Sequence, residues 1–170
     1  MFIKPNSIKE GRFTGGGFYF TGLSKPNRSL FDCSLDITVS RDSVLVSGYY
    51  QYPSTGDRRR FSASLCEHNI SDFRSAKSPT IGVFDLTDDT LGELTGILST
   101  SGASMLIQAG SNDGEIQISQ RWDALRKDDC FHIHGIVVRN GTSPIHYSLT
   151  VGKCEPELAK SNVMAVGDSE

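Results

Sequence analysis

Polar and apolar residues alternate one by one along much of this chain, and that feature narrows its possible folds more than any other. In "CSLDITVS", residues 33–40, the odd positions Cys33, Leu35, Ile37 and Val39 are apolar, while Ser34, Asp36, Thr38 and Ser40 are polar. Successive side chains of an extended chain point to opposite faces, so the pattern predicts a strand with one face on a core and the other in water. "RDS" breaks the alternation and "VLVSGYYQY" resumes it with β-branched and aromatic residues, which predicts a β-hairpin over residues 33–52.

The same pattern recurs. "RFSASLC" places Phe61, Ala63 and Leu65 on one face, and "EIQISQRW" does so for Ile116, Ile118 and Trp122. "IHYSLTV" sets Ile145, Tyr147, Leu149 and Val151 against His146, Ser148 and Thr150. "GGGFYFTG", "TIGVFDL" and "SMLIQAG" read as further strands, with "TGD", "SNDG" and "NGTSP" supplying turn chemistry. In "DDTLGELTGIL", Thr90 and Glu93 fit a helix capping box. Gly92 and Gly96 would each cost about 1 kcal/mol in a helix interior, so a strand is expected there. Short helical connectors are expected at "SDFRSAKS" and "WDALRKDD".

About eight to ten short strands without crossover helices should be antiparallel neighbours, and so many must close into a barrel or split into two packed sheets. Glycines inside strand patterns, at Gly48, Gly82, Gly96 and Gly135, mark places where a sheet can curl sharply. The expected fold is therefore an all-β, single-domain, antiparallel up-and-down barrel over residues 1–154, with a two-sheet sandwich or jelly roll as the alternative. Residues 155–170 read as a polar tail or short helix. In outline, the hairpin followed by "RRRFSASL" is similar to lipocalin- and avidin-like barrels, a likeness that implies a fold and carries over no site residues.

A chain of 170 residues can bury a self-sufficient core, and its net charge of −3 gives no broad positive field for a nucleic-acid backbone. Arg58, Arg59 and Arg60 read as a solvated strand entrance. No apolar stretch reaches the roughly 20 residues that span a bilayer. "MFIKPNSIKE" lacks the apolar core of a secretory signal, so the expected compartment is cytoplasmic and the expected partners do not include a membrane. The cysteines at 33, 66, 130 and 154 show no zinc-ribbon spacing and are expected as reduced thiols.

No nucleophile elbow, phosphate loop, dinucleotide fingerprint or H-E-x-x-H occurs, and the acidic pairs Asp88-Asp89 and Asp128-Asp129 read as solvated loop formers. "CFHIHGIVV" against "IHYSLTV" brings apolar residues together when Phe131 faces Val151, Ile133 faces Leu149, Gly135 faces Tyr147 and Val137 faces Ile145. Tyr147 then covers Gly135, and Cys130, His132, His134 and His146 share the other face. Nitrogen and sulfur donors suit zinc or another transition metal. The H-x-H spacing resembles the start of the cupin metal motif, but Arg139 and Asn140 stand where that motif places an acidic ligand. The bland reading is that these histidines face water and no cofactor is bound.

A barrel of about eight strands is either filled or just wide enough for one small ligand. Tyr49, Tyr50, Tyr52 and Trp122 are the candidate lining residues, with Phe18, Tyr19 and Phe20 expected mostly in the core. Three functions follow in order of expectation. The first is a non-catalytic binding protein for a small, largely apolar ligand. The second is a protein-interaction or assembly module, including a host- or virus-directed effector or an oligomer. The third is a metal-dependent, cupin-like enzyme using His132, His134 and His146.

Overall fold

Ten strands follow one another with no helix among the described residues of this computed structural model, which are residues 10–22, 28–40, 43–67, 80–101, 104–125 and 130–154. They are β1 (Gly11–Thr21), β2 (Ser29–Val39), β3 (Ser43–Gln51), β4 (Arg58–Glu67), β5 (Thr80–Asp88), β6 (Gly92–Ser101), β7 (Ser104–Gly110), β8 (Ile116–Leu125), β9 (Cys130–Arg139) and β10 (Ile145–Lys153). Each pairs antiparallel with its neighbours in sequence, and β1 pairs with both β2 and β10, so the sheet closes into one up-and-down barrel. Closure leaves no second sheet among the described residues, and the strands form a barrel in place of a sandwich. The segments "SDFRSAKS" and 155–170 lie outside the described residues. "WDALRKDD" begins differently from expectation: Trp122 to Leu125 continue β8, held by pairing to β9, and residues 126–129 are not described.

Alternation fills the interior. Phe31, Cys33, Leu35 and Ile37 of β2 are buried, as are Phe131, Ile133 and Val137 of β9 and Leu149 and Val151 of β10. The β9–β10 register is the one apolar matching requires, with Phe131 beside Val151, Ile133 beside Leu149, Gly135 beside Tyr147 and Val137 beside Ile145.

Glycine lets the sheet turn on itself. A Cβ added to Gly17 would lie 2.0 Å from the Ser148 carbonyl oxygen, and one added to Gly48 would lie 2.0 Å from that of Ser34. Neighbouring backbone therefore fills the space where inward side chains would stand, which is the close approach for which a strand uses glycine. The run at residues 15–17 belongs to the seam where β1 meets β10.

The barrel's two ends differ. At one end Phe13, Ile37, Val44, Leu98, Met105, Phe131 and Val151 fill the cross-section, with Phe13 fully buried and its ring 5.2 Å from that of Phe131. At the other end, defined by the 52–57, 89–91, 111–115 and 140–144 turns, the interior is not filled.

Candidate ligand-binding site

Above the packed end lies a cavity of about 230 Å³. Its body is apolar, formed by Leu35, Val46, Leu65, Phe84, Ile133 and Leu149, while Tyr19, Tyr50, Tyr52, Asp88, Thr90 and Gln120 add polar groups. The layout is that of ligand pockets generally, mostly hydrophobic surface with a few placed polar atoms. Trp122 also lines the cavity; its ring lies 5.9 Å from that of Phe131 and its enclosed Nε1 meets no acceptor among the described residues.

Aromatic rings form a connected wall. Tyr19 meets Tyr52 edge-on at 5.6 Å and Tyr52 meets Tyr50 edge-on at 5.8 Å. Tyr50 in turn meets Phe31 edge-on at 6.5 Å and stacks on Phe61 at 6.4 Å. Such edge contacts match the quadrupoles of adjacent rings and hold them in fixed mutual orientation.

Asp88 ends β5 and is the one buried charged residue among those described, at 8% exposure. The sequence reading of a solvated acidic loop is corrected here for Asp88, whose Oδ1 accepts from the amides of Thr90 at 2.7 Å and Leu91 at 3.0 Å and from the Tyr50 hydroxyl at 3.3 Å. This carboxylate replaces the backbone partners that a three-residue turn lacks. Asp89 remains exposed.

The turn it organises lies across the mouth. Thr90 is held from one side by the Tyr50 hydroxyl, 2.9 Å from its Oγ1, and from the other by Arg139, whose Nη2 donates to the Thr90 carbonyl at 3.2 Å. Because β9 stands four places from β5 around the ring of ten, the Arg139 contact reaches across much of the opening. Leu91, half-buried, packs on the core between the cavity and an adjoining rim depression that includes Arg139 and Thr142.

Burial sets the protonation of the site. It pushes the Cys33 thiol up from 9.0 to about 12. It also raises Tyr50, Tyr52 and Tyr147 above the ordinary phenol value, with the Asp88 charge adding to each. All four side chains are therefore neutral near pH 7, because removing water from around an anion disfavours ionisation.

Of the sequence candidates, Tyr50, Tyr52 and Trp122 share the cavity. Tyr49 does not. It is on the outer face, with the Arg58 guanidinium carbon 4.0 Å from its ring centroid. Phe18 and Phe20 also face outward, stacked at 6.4 Å, while Tyr19 between them faces in. Sequence reasoning missed Asp88, Thr90, Leu91 and Gln120. The Gln120 signal was its place two residues before Trp122 on the inward face; Tyr147 donates to its Oε1 at 3.0 Å. The expected Tyr147 cover over Gly135 is present, since an added Cβ there would lie 2.5 Å from the Tyr147 hydroxyl oxygen.

The histidines occupy the outer face. His132 has Nδ1 3.0 Å from Thr150 Oγ1 and Nε2 3.3 Å from Ser148 Oγ, so both ring nitrogens have protein partners. Its ring centroid is 5.7 Å from that of His134. His146 instead stacks on Phe20 at 4.9 Å. No group of three or more His, Cys, Asp and Glu side chains among the described residues is arranged to hold a metal ion. Cys33, Cys66 and Cys154 are free thiols. No described helix is long and apolar enough to cross a membrane.

No protein-family model matches the chain, and no curated protein is significantly similar to it in sequence.

Proposed function

We propose that this protein is a non-catalytic carrier or sensor that holds one small, largely apolar molecule inside the barrel. The observation that carries the reading is the 230 Å³ cavity, with an apolar body and polar groups concentrated toward its mouth. An apolar cavity of about 150 Å³ holds benzene. Scaling by volume, this one suits roughly nine to a dozen non-hydrogen atoms. Phenols and amides held by one another are suited to orienting a guest without covalent chemistry.

The chain's single tryptophan lines the cavity, which supplies the test. Titration with the neutral probe 2-phenylethanol should change Trp122 fluorescence saturably, with calorimetry giving one site per chain. A linear, non-saturating response up to millimolar probe would remove the reading.

The outer face supports a second reading, a protein-contact surface. Leu30, 68% exposed, adjoins Phe18, and Phe20 continues through His146 to Ile136 across paired strands. Leu30 is exposed while Phe18, Phe20 and Ile136 are half-buried, and apolar groups that adjoin on an outer face are a common mark of interaction sites. Sedimentation over a concentration range, with Phe20→Ser as comparison, tests self-association through this face.

A further inference from the structure

We propose that the barrel's ligand is a small organic amine, bound as its cation, with the ammonium beside Asp88 inside the aromatic wall and the hydrocarbon body directed down the barrel. The inference rests on the carrier reading above and names its ligand class.

Charge is the first argument. Among the described residues no lysine, arginine or histidine lines the cavity, and Asp88 is the only lining residue there with a formal charge. Tyr50, Tyr52, Tyr147 and Cys33 do not alter that balance, because burial keeps their hydroxyls and thiol protonated. Arg139 belongs to the rim depression, where its guanidinium donates to the Thr90 carbonyl. Arg59 only moderates the field at Tyr52, where burial and negative neighbours still raise the phenol.

Hydrogen bonding is the second. Asp88 is more than nine-tenths buried, and all three of its donors fall on Oδ1. None of these donors falls on Oδ2, which is not among the enclosed side-chain atoms that lack a partner, so the carboxylate has one oxygen committed to the turn while Asp88 itself lines the cavity. A carboxylate has the capacity for about four hydrogen bonds, and the three on Oδ1 leave room for a further donor. An ammonium supplies both the donor and the countercharge.

The third is the wall itself. Edge-on contacts at 69° between Tyr19 and Tyr52 and at 83° between Tyr50 and Tyr52 turn successive rings to face different directions, making a corner. A cation in an aromatic corner is attracted by the ring quadrupoles, and more strongly when desolvated. The attraction has to offset the ammonium's lost hydration, so Asp88 and the rings are needed together. Against an anion the same carboxylate is purely repulsive, which makes exclusion of acids the sharper part of the specificity.

Three probes of similar size separate the possibilities: 2-phenylethylamine, 2-phenylethanol and phenylacetate, each titrated at pH 7 by Trp122 fluorescence and calorimetry. The amine should bind at least about ten-fold more tightly than the alcohol, and phenylacetate at least about ten-fold more weakly than the alcohol. In Asp88→Asn, whose amide oxygen still offers an acceptor to the turn, the amine-to-alcohol ratio should fall below about two. The wild-type series decides the charge preference even if that variant does not fold. Alcohol binding equal to or tighter than the amine overturns the amine assignment and leaves the carrier reading intact. Binding of phenylacetate as tight as the amine also overturns it. Absence of saturable binding by all three overturns both.

Discussion

The filled end and the mouth end of the barrel are built by the same alternation on the same ten strands, yet one is a core and the other a cavity. Phe13, Leu98, Met105 and Val151 fill the first with side chains that have no polar atoms to satisfy. At the second, Tyr19, Tyr50, Tyr52, Gln120 and Tyr147 bring polar groups into the interior, and Asp88 brings a charge. Alternation decides which side chains enter; their chemistry and fit decide whether space remains. Stability and recognition are thereby separated along the barrel axis, and substitutions should reveal the separation.

The largest contrast should come from truncating one aromatic at each end. Phe13→Ala removes a fully buried ring and should cost about 3–5 kcal/mol, read as a lower urea midpoint at unchanged slope. Tyr52→Phe keeps the ring and deletes only a hydroxyl in the half-buried wall, so it should cost about 1 kcal/mol or less. Equal losses would break the division between the ends.

Alkali should attack through the cavity. Cys33 ionises near 9.0 when unfolded but only at about 12 when buried, so its contribution is complete below pH 9 and is lost as pH rises toward 12. Tyr50 and Tyr147, raised above 10.0, add the same sign of dependence from about pH 10 upward. Each fully titrating group removes about 1.4 kcal/mol per pH unit, and the half-buried phenols remove less. Thermal melts from pH 8 to 11 should therefore fall, with Cys33→Ala shifting the onset from near 9 toward 10. An unchanged onset in that variant would assign the alkaline loss to other groups.

A smaller loss is expected from Asp88→Ala, which strands the Thr90 and Leu91 amides and the Tyr50 hydroxyl contact. Leaving such donors without a partner costs about 1–3 kcal/mol. Hydrogen exchange at Thr90 and Leu91 should accelerate more than at Ile107 in the filled region. Uniform acceleration would mean that the turn unfolds only with the whole barrel.

Much of this fold was legible because period two is a backbone property that survives in the sequence. Leu35, Ile37, Ile133 and Leu149 declared their inward faces, and matching Ile133 to Leu149 across β9 and β10 gave the register found. Glycines within strands signalled curvature, although the triple glycine hid the alternation of β1 and left Phe18 and Phe20 expected inside. The site was half legible. Adjacent Tyr49 and Tyr50 must point opposite ways, but choosing the inward one depends on continuing the parity of Val44 and Val46. Asp88 was obscured because a buried turn-forming aspartate and a solvated one have the same local sequence; only the turn's path over the mouth distinguishes them. The unfilled volume itself depends on how side chains from all ten strands meet, which no local pattern records.

The gentlest test of the two ends concerns Leu91, the apolar residue of the turn that crosses the mouth. It is half-buried, so Leu91→Ala should cost about 1 kcal/mol or less in stability, well below a fully buried truncation. Its kinetic effect discriminates between two roles. If Leu91 only touches the bound molecule, the dissociation rate of 2-phenylethanol should rise while association is unchanged, as for an ordinary lost contact. If it closes the passage, association and dissociation should both accelerate and the dissociation constant should move less than about three-fold, since a barrier has been lowered without changing its two sides. The fastening of Thr90 from Tyr50 on one side and Arg139 on the other favours the second outcome. Stopped-flow fluorescence from Trp122 measures both rates, and acceleration of release alone would return Leu91 to the role of a wall residue.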